Sequence, residues 1–192
     1  HRLAYANENL SKTLPRTEVI LPRKTVLELS RLLEDNDEEL DIRLSSNQAV
    51  FRFGDIELVS KLIDGKFPDY ERVIPQNHNK VITVPRTALL QSLHRAAILT
   101  NEKFRGVRVV LASGILKIIS SNADQEEAQE ELEVSYDAEA LDIGFNVTYL
   151  LDVLNNVSNE EVEIRLADAN SSALITLPGN DSFKYVVMPM RI

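Results

Sequence analysis

Apolar residues along this chain follow two rhythms. Three stretches carry them at helical spacing: Val26, Leu29, Leu32 and Leu33; Leu89, Leu93, Ala96 and Ala97; Val147, Leu150, Leu151, Leu154 and Val157. Residues three and four apart share one face of a helix, so each stretch predicts an amphipathic helix. The starts agree with this. Pro22 and Pro85 suit a first turn, where the missing N–H would be unpaired anyway, and Asn146 can accept from the free N–H groups of the third helix.

After each helix the period drops to two. Residues 40–44, 49–53 and 56–59 follow the first, 107–111, 115–119 and 132–134 the second, and 162–166, 173–177 and 185–188 the third. Alternation of this kind marks strands with one buried face. Turn residues separate them at Asn47-Gln48, Gly54-Asp55, Ser113-Gly114 and Pro178-Gly179-Asn180. The repeating unit is therefore one helix followed by an antiparallel three-stranded meander, which makes an α+β fold. A single unit leaves an apolar sheet face uncovered, and two can bury theirs together. Three units leave one without a mate. That odd count, with His1 rather than methionine first, implies a fragment whose missing mate lies N-terminal to it. Residues 124–131 favour helix by propensity but lack an apolar stripe and lead into a strand, so an exposed, charged strand is expected there. The pattern breaks at residues 73–80, where a domain boundary is expected.

Charge sharpens the picture. The 192 residues carry 30 acidic and 21 basic side chains, a net charge of −9. Residues 1–117 have a net charge of +3 and residues 118–192 a net of −12. Local potential governs encounters, so the acidic total does not exclude nucleic acid, and the C-terminal part offers a negative surface to a basic partner. With no cysteine, thiol catalysis, disulfides and zinc-thiolate sites are excluded, and the composition fits a reducing cytoplasm. No apolar run approaches the ~20 residues of a membrane span, and no signal-peptide pattern opens the chain.

Catalytic chemistry finds little support. His1, His78 and His94 show no metal-ligand spacing, the six glycines form no phosphate loop, and no serine sits in a nucleophile elbow. The carboxylates at 124–133 lack calcium-loop spacing and read better as a solvated or partner-facing strand. No enzyme, metal or cofactor is expected. Three features call for more than packing. Gly65-Lys66-Phe67-Pro68-Asp69-Tyr70 is a turn with two aromatics, at least one of which should enter the core. The last residues, Tyr185 to Ile192, form an apolar tail broken by Pro189; exposed methionine and isoleucine there point to an adaptable binding surface. Arg23-Lys24 and Arg86 stand at helix starts, where an anion also meets the helix dipole.

Several segments resemble a known family along the whole chain: His1-Arg2-Leu3-Ala4, Phe67-Pro68-Asp69-Tyr70, the run from Arg95 to Arg108, and Tyr185-Val186-Val187-Met188-Pro189-Met190-Arg191. The sequence is similar to the bacterial DNA polymerase III β subunit, the β sliding clamp. The resemblance implies the DNA clamp fold, with repeated helix-plus-meander units, sheets outside and helices lining a hole for duplex DNA. Residues 1–72 would be the second half of the middle domain and 73–192 the C-terminal domain. It also implies a cytoplasmic, non-catalytic processivity factor of DNA replication, a head-to-tail homodimer ring when full length. Arg23 and Lys24 match DNA-facing positions, and Arg86 holds the equivalent place in the repeat. A pocket for short linear peptides of the replicative polymerase, clamp loader and repair proteins would comprise Arg2, Leu3, Pro68, Arg72, Val73, Asn146, Tyr149, Ser172, Val186, Met188, Pro189, Met190 and Arg191. Asn170 stands where some relatives carry an apolar residue at the pocket edge. Ile98 and Leu99 would meet a second clamp subunit, whose basic residues would face Glu126, Glu127, Glu130 and Glu131. Two other readings remain open from the residues: a peptide-binding scaffold that never encircles DNA, and a metal-dependent nuclease whose acids converge on one concave site.

Overall fold

The computed structural model describes all 192 residues, which divide into two compact units, 10–69 and His1–Asn9 with Tyr70–Ile192. In the smaller unit, helix α1 (Arg23–Leu32) is followed by strands β2 (Asp41–Leu44), β3 (Gln48–Phe53) and β4 (Ile56–Lys61), an antiparallel meander. Ala49, Phe51 and Phe53 alternate inward along β3, and Leu21, Leu29, Leu58 and Leu62 pack on them. Thr25 and Ser60 join their hydroxyls at 2.6 Å, tying the helix to β4. Only part of the helical stripe is covered: Leu29 packs, whereas Val26 is 50% exposed and Leu32 and Leu33 lie at the surface. The unit's sheet faces have unburied apolar residues as well, among them Ile42 and Val59.

The larger unit holds β1 (Arg2–Ala6), β5 (Lys80–Pro85), α2 (Arg86–Ile98), β6 (Gly106–Ala112), β7 (Ile115–Ser121), β8 (Glu127–Glu133), β9 (Leu141–Asn146), α3 (Val147–Asn155), β10 (Glu161–Leu166), β11 (Ala173–Leu177) and β12 (Asn180–Val187). Helices α2 and α3 pack on each other. Two antiparallel sheets complete the core, ordered β8-β7-β6-β9 and β1-β12-β11-β10-β5. The meanders β6-β7-β8 and β10-β11-β12 match the periodic runs. Each gains a strand that the repeat pattern does not contain. The strand before α2, β5, pairs with β10 of the following repeat, and the strand before α3, β9, pairs back with β6. This exchange knits the two halves into one core around Leu93, Leu111, Ile118, Leu154 and Ile175.

Residues 1–9 and 70–72 are compact with the larger unit, because β1 hydrogen-bonds along β12 and the 3-10 turn Tyr70–Arg72 belongs with it. Two expectations need adjusting. Neither Phe67 nor Tyr70 enters a core: they are 55% and 36% exposed, and the Tyr70 ring instead leans on Tyr5 at 5.8 Å. The acidic segment is a strand only from Glu127; before it, Asn122 gathers the Asp124 and Glu126 N–H groups in a turn whose Gln125 has φ +63°.

Candidate functional site

Strand alternation gives the larger unit a second apolar patch, separate from its core. Tyr185 and Val187 face the helices, so Val186 faces the other way. Val186 pairs with Leu3 of β1 on one side and with Leu174 of β11 on the other, which sets three aliphatic side chains in a row. Ile74 lies with them, and Tyr5 borders the patch. The 3-10 turn delivers Ile74: the Val73 and Ile74 N–H groups donate to the Tyr70 carbonyl at 3.0 and 3.2 Å. Val73 is left 44% exposed beside this row and Met188 49% exposed beyond the end of β12. The Met188 N–H donates to the His1 carbonyl at 2.9 Å, prolonging the β1–β12 ladder by one bond.

The tail then crosses to the other sheet. The Met190 N–H donates to the Gly144 carbonyl of β9 at 2.8 Å, and the Ile192 side chain lies over Gly106 and Gly144. Nearby, Asn146 caps α3 by accepting from the Thr148 N–H at 2.9 Å while its amide donates to the Phe104 carbonyl. Phe104 is 57% exposed, on a loop whose Lys103 and Phe104 N–H groups donate to Asn101 Oδ1. Arg2 pairs with Asp152 of α3 and lays its guanidinium 4.4 Å from the Tyr149 ring centre, with the His1 ring stacked at 6.4 Å. The Tyr149 carbonyl accepts from the Tyr185 hydroxyl at 3.1 Å, and burial raises that phenol's pKa. The face turned away from the helices thus presents an aliphatic floor with Met188 at its end, while the Arg2–Tyr149 pair stands on the helix side of the same sheet.

Of the residues the resemblance assigns to a peptide pocket, Leu3, Val73, Val186 and Met188 belong to this patch or border it. Met190 and Asn146 stand at the tail crossing, and Arg2 and Tyr149 pair on the helix side of β1. Ser172 lies on the loop before β11, and its backbone takes a hydrogen bond from His78. Burial, with the Arg165 charge, holds the His78 imidazole below its ordinary pKa, and its Nε2 is buried without a partner. Asn170 is exposed; its N–H donates to Asp168 Oδ1 at 2.8 Å, and this bond with those of Ser171 holds the Asp168 carboxyl below the usual range. Pro68 belongs to the smaller unit. Ile74, Leu174 and Tyr5 are additions. Leu174 sits in the continuous run Ala173-Leu174-Ile175, buried on both faces, where period two cannot tell floor from core.

The proposed DNA contacts differ from one another. Arg23 and Lys24 are exposed at the start of α1 and have no ion-pair partner. Arg86 is turned inward: its Nε donates to the Asn159 carbonyl and its Nη1 to the Leu154 carbonyl, each at 3.0 Å, closing the C-terminal end of α3. Ile98 is 77% exposed, with Leu99 half-buried beside it. On the edge strand β8, Glu130 is held by Arg95 of α2 and Glu131 by Lys117 of β7, and those bonds lower both carboxyl pKa values. Glu126 accepts from the Asn122 amide, and the Glu127 charge acts on Arg108 of β6.

Comparison with known proteins gives two family matches. Residues 1–69 match the DNA polymerase III beta subunit central domain and residues 71–191 its C-terminal domain. The chain is 49% identical over its whole length to the beta sliding clamp of Pseudomonas putida, covering 53% of that protein. It is 46% identical to the clamp of Escherichia coli K12, covering 52% of it. A crystal structure of DNA polymerase III subunit beta from Pseudomonas aeruginosa superposes with a TM-score of 0.95 at 48% identity, over all of this chain and 53% of that one. The chain spans about half the length of the curated relatives it matches.

Proposed function

As the chain belongs to the DNA polymerase III beta subunit family, the bacterial sliding clamps, we propose that it is the peptide-docking part of a DNA sliding clamp. The Leu3–Val186–Leu174 row under Ile74 carries this reading. The row lies on the sheet face turned away from the helices, nearly covered itself, with Val73 and Met188 left exposed at its border. The cleft takes the hydrophobic side chains of a short extended peptide from the replicative polymerase, the clamp loader or repair proteins. Burying one such side chain is worth about 1.5–3 kcal/mol, so two anchors support micromolar binding after ordering costs. Met188 and Met190 adapt the cleft to different peptides. Arg72, Ser172, Pro189 and Arg191 complete its wall.

Residues 1 to about 72 are read as the second half of a middle domain and the rest as the C-terminal domain. Uncovered Val26, Leu32 and Leu33 on α1 await the other helix-plus-meander half. In the full-length protein, two subunits close head to tail around duplex DNA, sheets outside and helices inside. Ile98, Leu99 and the acidic β8 meet the second subunit. Glu126, Glu127, Glu130 and Glu131 supply the charge pairing there. A ring performs no bond chemistry; it makes the polymerase processive because topology holds it on DNA while each contact stays weak. Arg23 and Lys24 supply sequence-blind phosphate contacts, and Arg86, committed to α3, adds little. Such a factor works in the cytoplasm and needs no cofactor.

Calorimetry with a polymerase-derived clamp-binding peptide tests the reading. Micromolar binding that is mostly lost on deleting residues 188–192 is expected. Unchanged affinity after the deletion refutes the site.

A further inference from the structure

Gly144 interrupts β9 without any demand from its backbone, since its φ is not in the left-handed region. Glycine in a strand interior costs conformational entropy and contributes no side chain, so a reason for it must lie in what approaches. A Cβ built on Gly144 would overlap the Met190 carbonyl oxygen and come within 2.9 Å of both the Cγ1 and Cδ1 atoms of Ile192. On the adjacent strand, a Cβ on Gly106 would lie 3.2 Å from Ile192 Cδ1 and 3.7 Å from Met190 Cε. The nearest atoms at both positions therefore come from one five-residue segment, the tail. The segment is also bonded there, through the Met190 N–H and the Gly144 carbonyl at 2.8 Å.

We propose that Gly144, with Gly106, is a positioning residue for the peptide cleft: the two glycines form a notch on the β6–β9 face that seats Ile192 and clasps the tail. The proposal rests on the cleft reading above. At the other end of the segment the Met188 N–H is held by the His1 carbonyl of β1. The tail is thus pinned at both ends, to one sheet at Met188 and to the other at Met190, with Pro189 stiffening the step between. Chain termini with no such ties fray. Neither glycine supplies a side chain to a peptide, so their influence on binding runs entirely through the tail. The notch removes a conformational penalty: a cleft whose wall is only fractionally in place binds with an affinity reduced by that fraction.

The test uses the whole 192-residue chain in three forms: unaltered, Gly144→Ala and Ile192→Asp. The Ile192→Asp chain leaves β9 intact, so its behaviour cannot be blamed on a damaged strand. Amide hydrogen exchange is followed at Met190 and at the β6 and β9 positions Val107, Val109 and Ile143, alongside calorimetric titration with a polymerase-derived peptide. In both variants the Met190 amide should exchange at least about tenfold faster and peptide affinity should fall by about tenfold, while the β6 and β9 amides keep their protection. Unchanged Met190 protection in either variant overturns the clasp. Lost protection with unchanged peptide affinity overturns its positioning role. An unaltered chain that binds no peptide defeats the functional reading, and Met190 exchange then judges the clasp by itself.

Discussion

Replacing Val186 and, separately, Val187 by alanine makes the same chemical change on opposite faces of one strand. The two side chains are 1% and 0% exposed, so burial alone does not distinguish them. Each replacement removes two methyl groups, worth about 1.6 kcal/mol of transfer free energy. Their surroundings differ. Val187 lies in the main core among rigidly packed neighbours, where an unfilled cavity raises the cost to about 2–3 kcal/mol. Val186 lies among Ile74, Leu174 and the half-buried Leu3 and Tyr5, which can close on the gap, so about 1.5 kcal/mol is expected. Function should reverse the order. The loss of part of the cleft floor costs a bound peptide about 1 kcal/mol, or about fivefold in affinity, for Val186→Ala. For Val187→Ala affinity should stay within about twofold, since those methyls face the helices. Urea unfolding reads the first quantity and calorimetric titration the second. If Val187→Ala weakens the peptide as much as Val186→Ala does, the two faces are not functionally separate and the reasoning fails.

Other consequences are equally concrete. Arg23→Ala with Lys24→Ala should weaken duplex binding equally across sequences and reduce the slope of log affinity against log salt by about 1.8; a sequence preference that survives the change contradicts phosphate tracking. His78 titrates below its ordinary value of 6.5 in the folded chain. The unfolded chain thus takes up the extra proton first, and stability should decline as pH falls below about 6.5 toward the folded value. His78→Gln should flatten that decline in denaturation curves; an unaltered slope excludes His78 as its source. Glu130 titrates below its ordinary 4.5 because Arg95 bonds it, so its contribution persists above that range and is lost as pH falls through the lowered value. Arg95→Met should remove that dependence, read as the difference between denaturation curves at acid and neutral pH; a dependence that survives the change excludes the pair as its source. If the proposed ring reading holds, light scattering should find this chain mainly monomeric, because Ile98 and Leu99 would pair with a part of the clamp outside the half that this chain spans; a head-to-tail dimer retained on circular DNA would sink that expectation.

Much of the fold was legible because local signals were consistent. Pro22, Pro85 and Asn146 marked helix starts to within a residue, and the meanders followed from alternation. Strands β1, β5 and β9 escaped for separate reasons. Alternation in Leu141-Asp142-Ile143-Gly144-Phe145-Asn146 was masked by a glycine that serves the tail. Lys80–Pro85 merged into the irregular segment before it and ends in the proline that starts α2. Arg2–Ala6 is an edge strand whose partner lies at the far end of the sequence, a pairing that no local window contains. The cleft divided similarly. Its methionines stood out as apolar residues in a tail, but Leu174 reads as one more core residue, and the Arg2–Asp152 pair joins residues 150 positions apart. Arg86 illustrates the opposite error, since a charged helix start reads as an anion contact until its two carbonyl partners are seen.

The central claim, that this face takes a peptide, has an unusually direct reporter. Met188 and Met190 are the chain's two methionines, and both stand in the tail. A spectrum of the chain carrying labelled methionine methyl groups therefore contains two signals, each from a residue of the proposed cleft. Titration with a polymerase-derived clamp-binding peptide should shift both signals with a common micromolar dissociation constant. A peptide that binds while leaving both methyl signals in place contradicts the account.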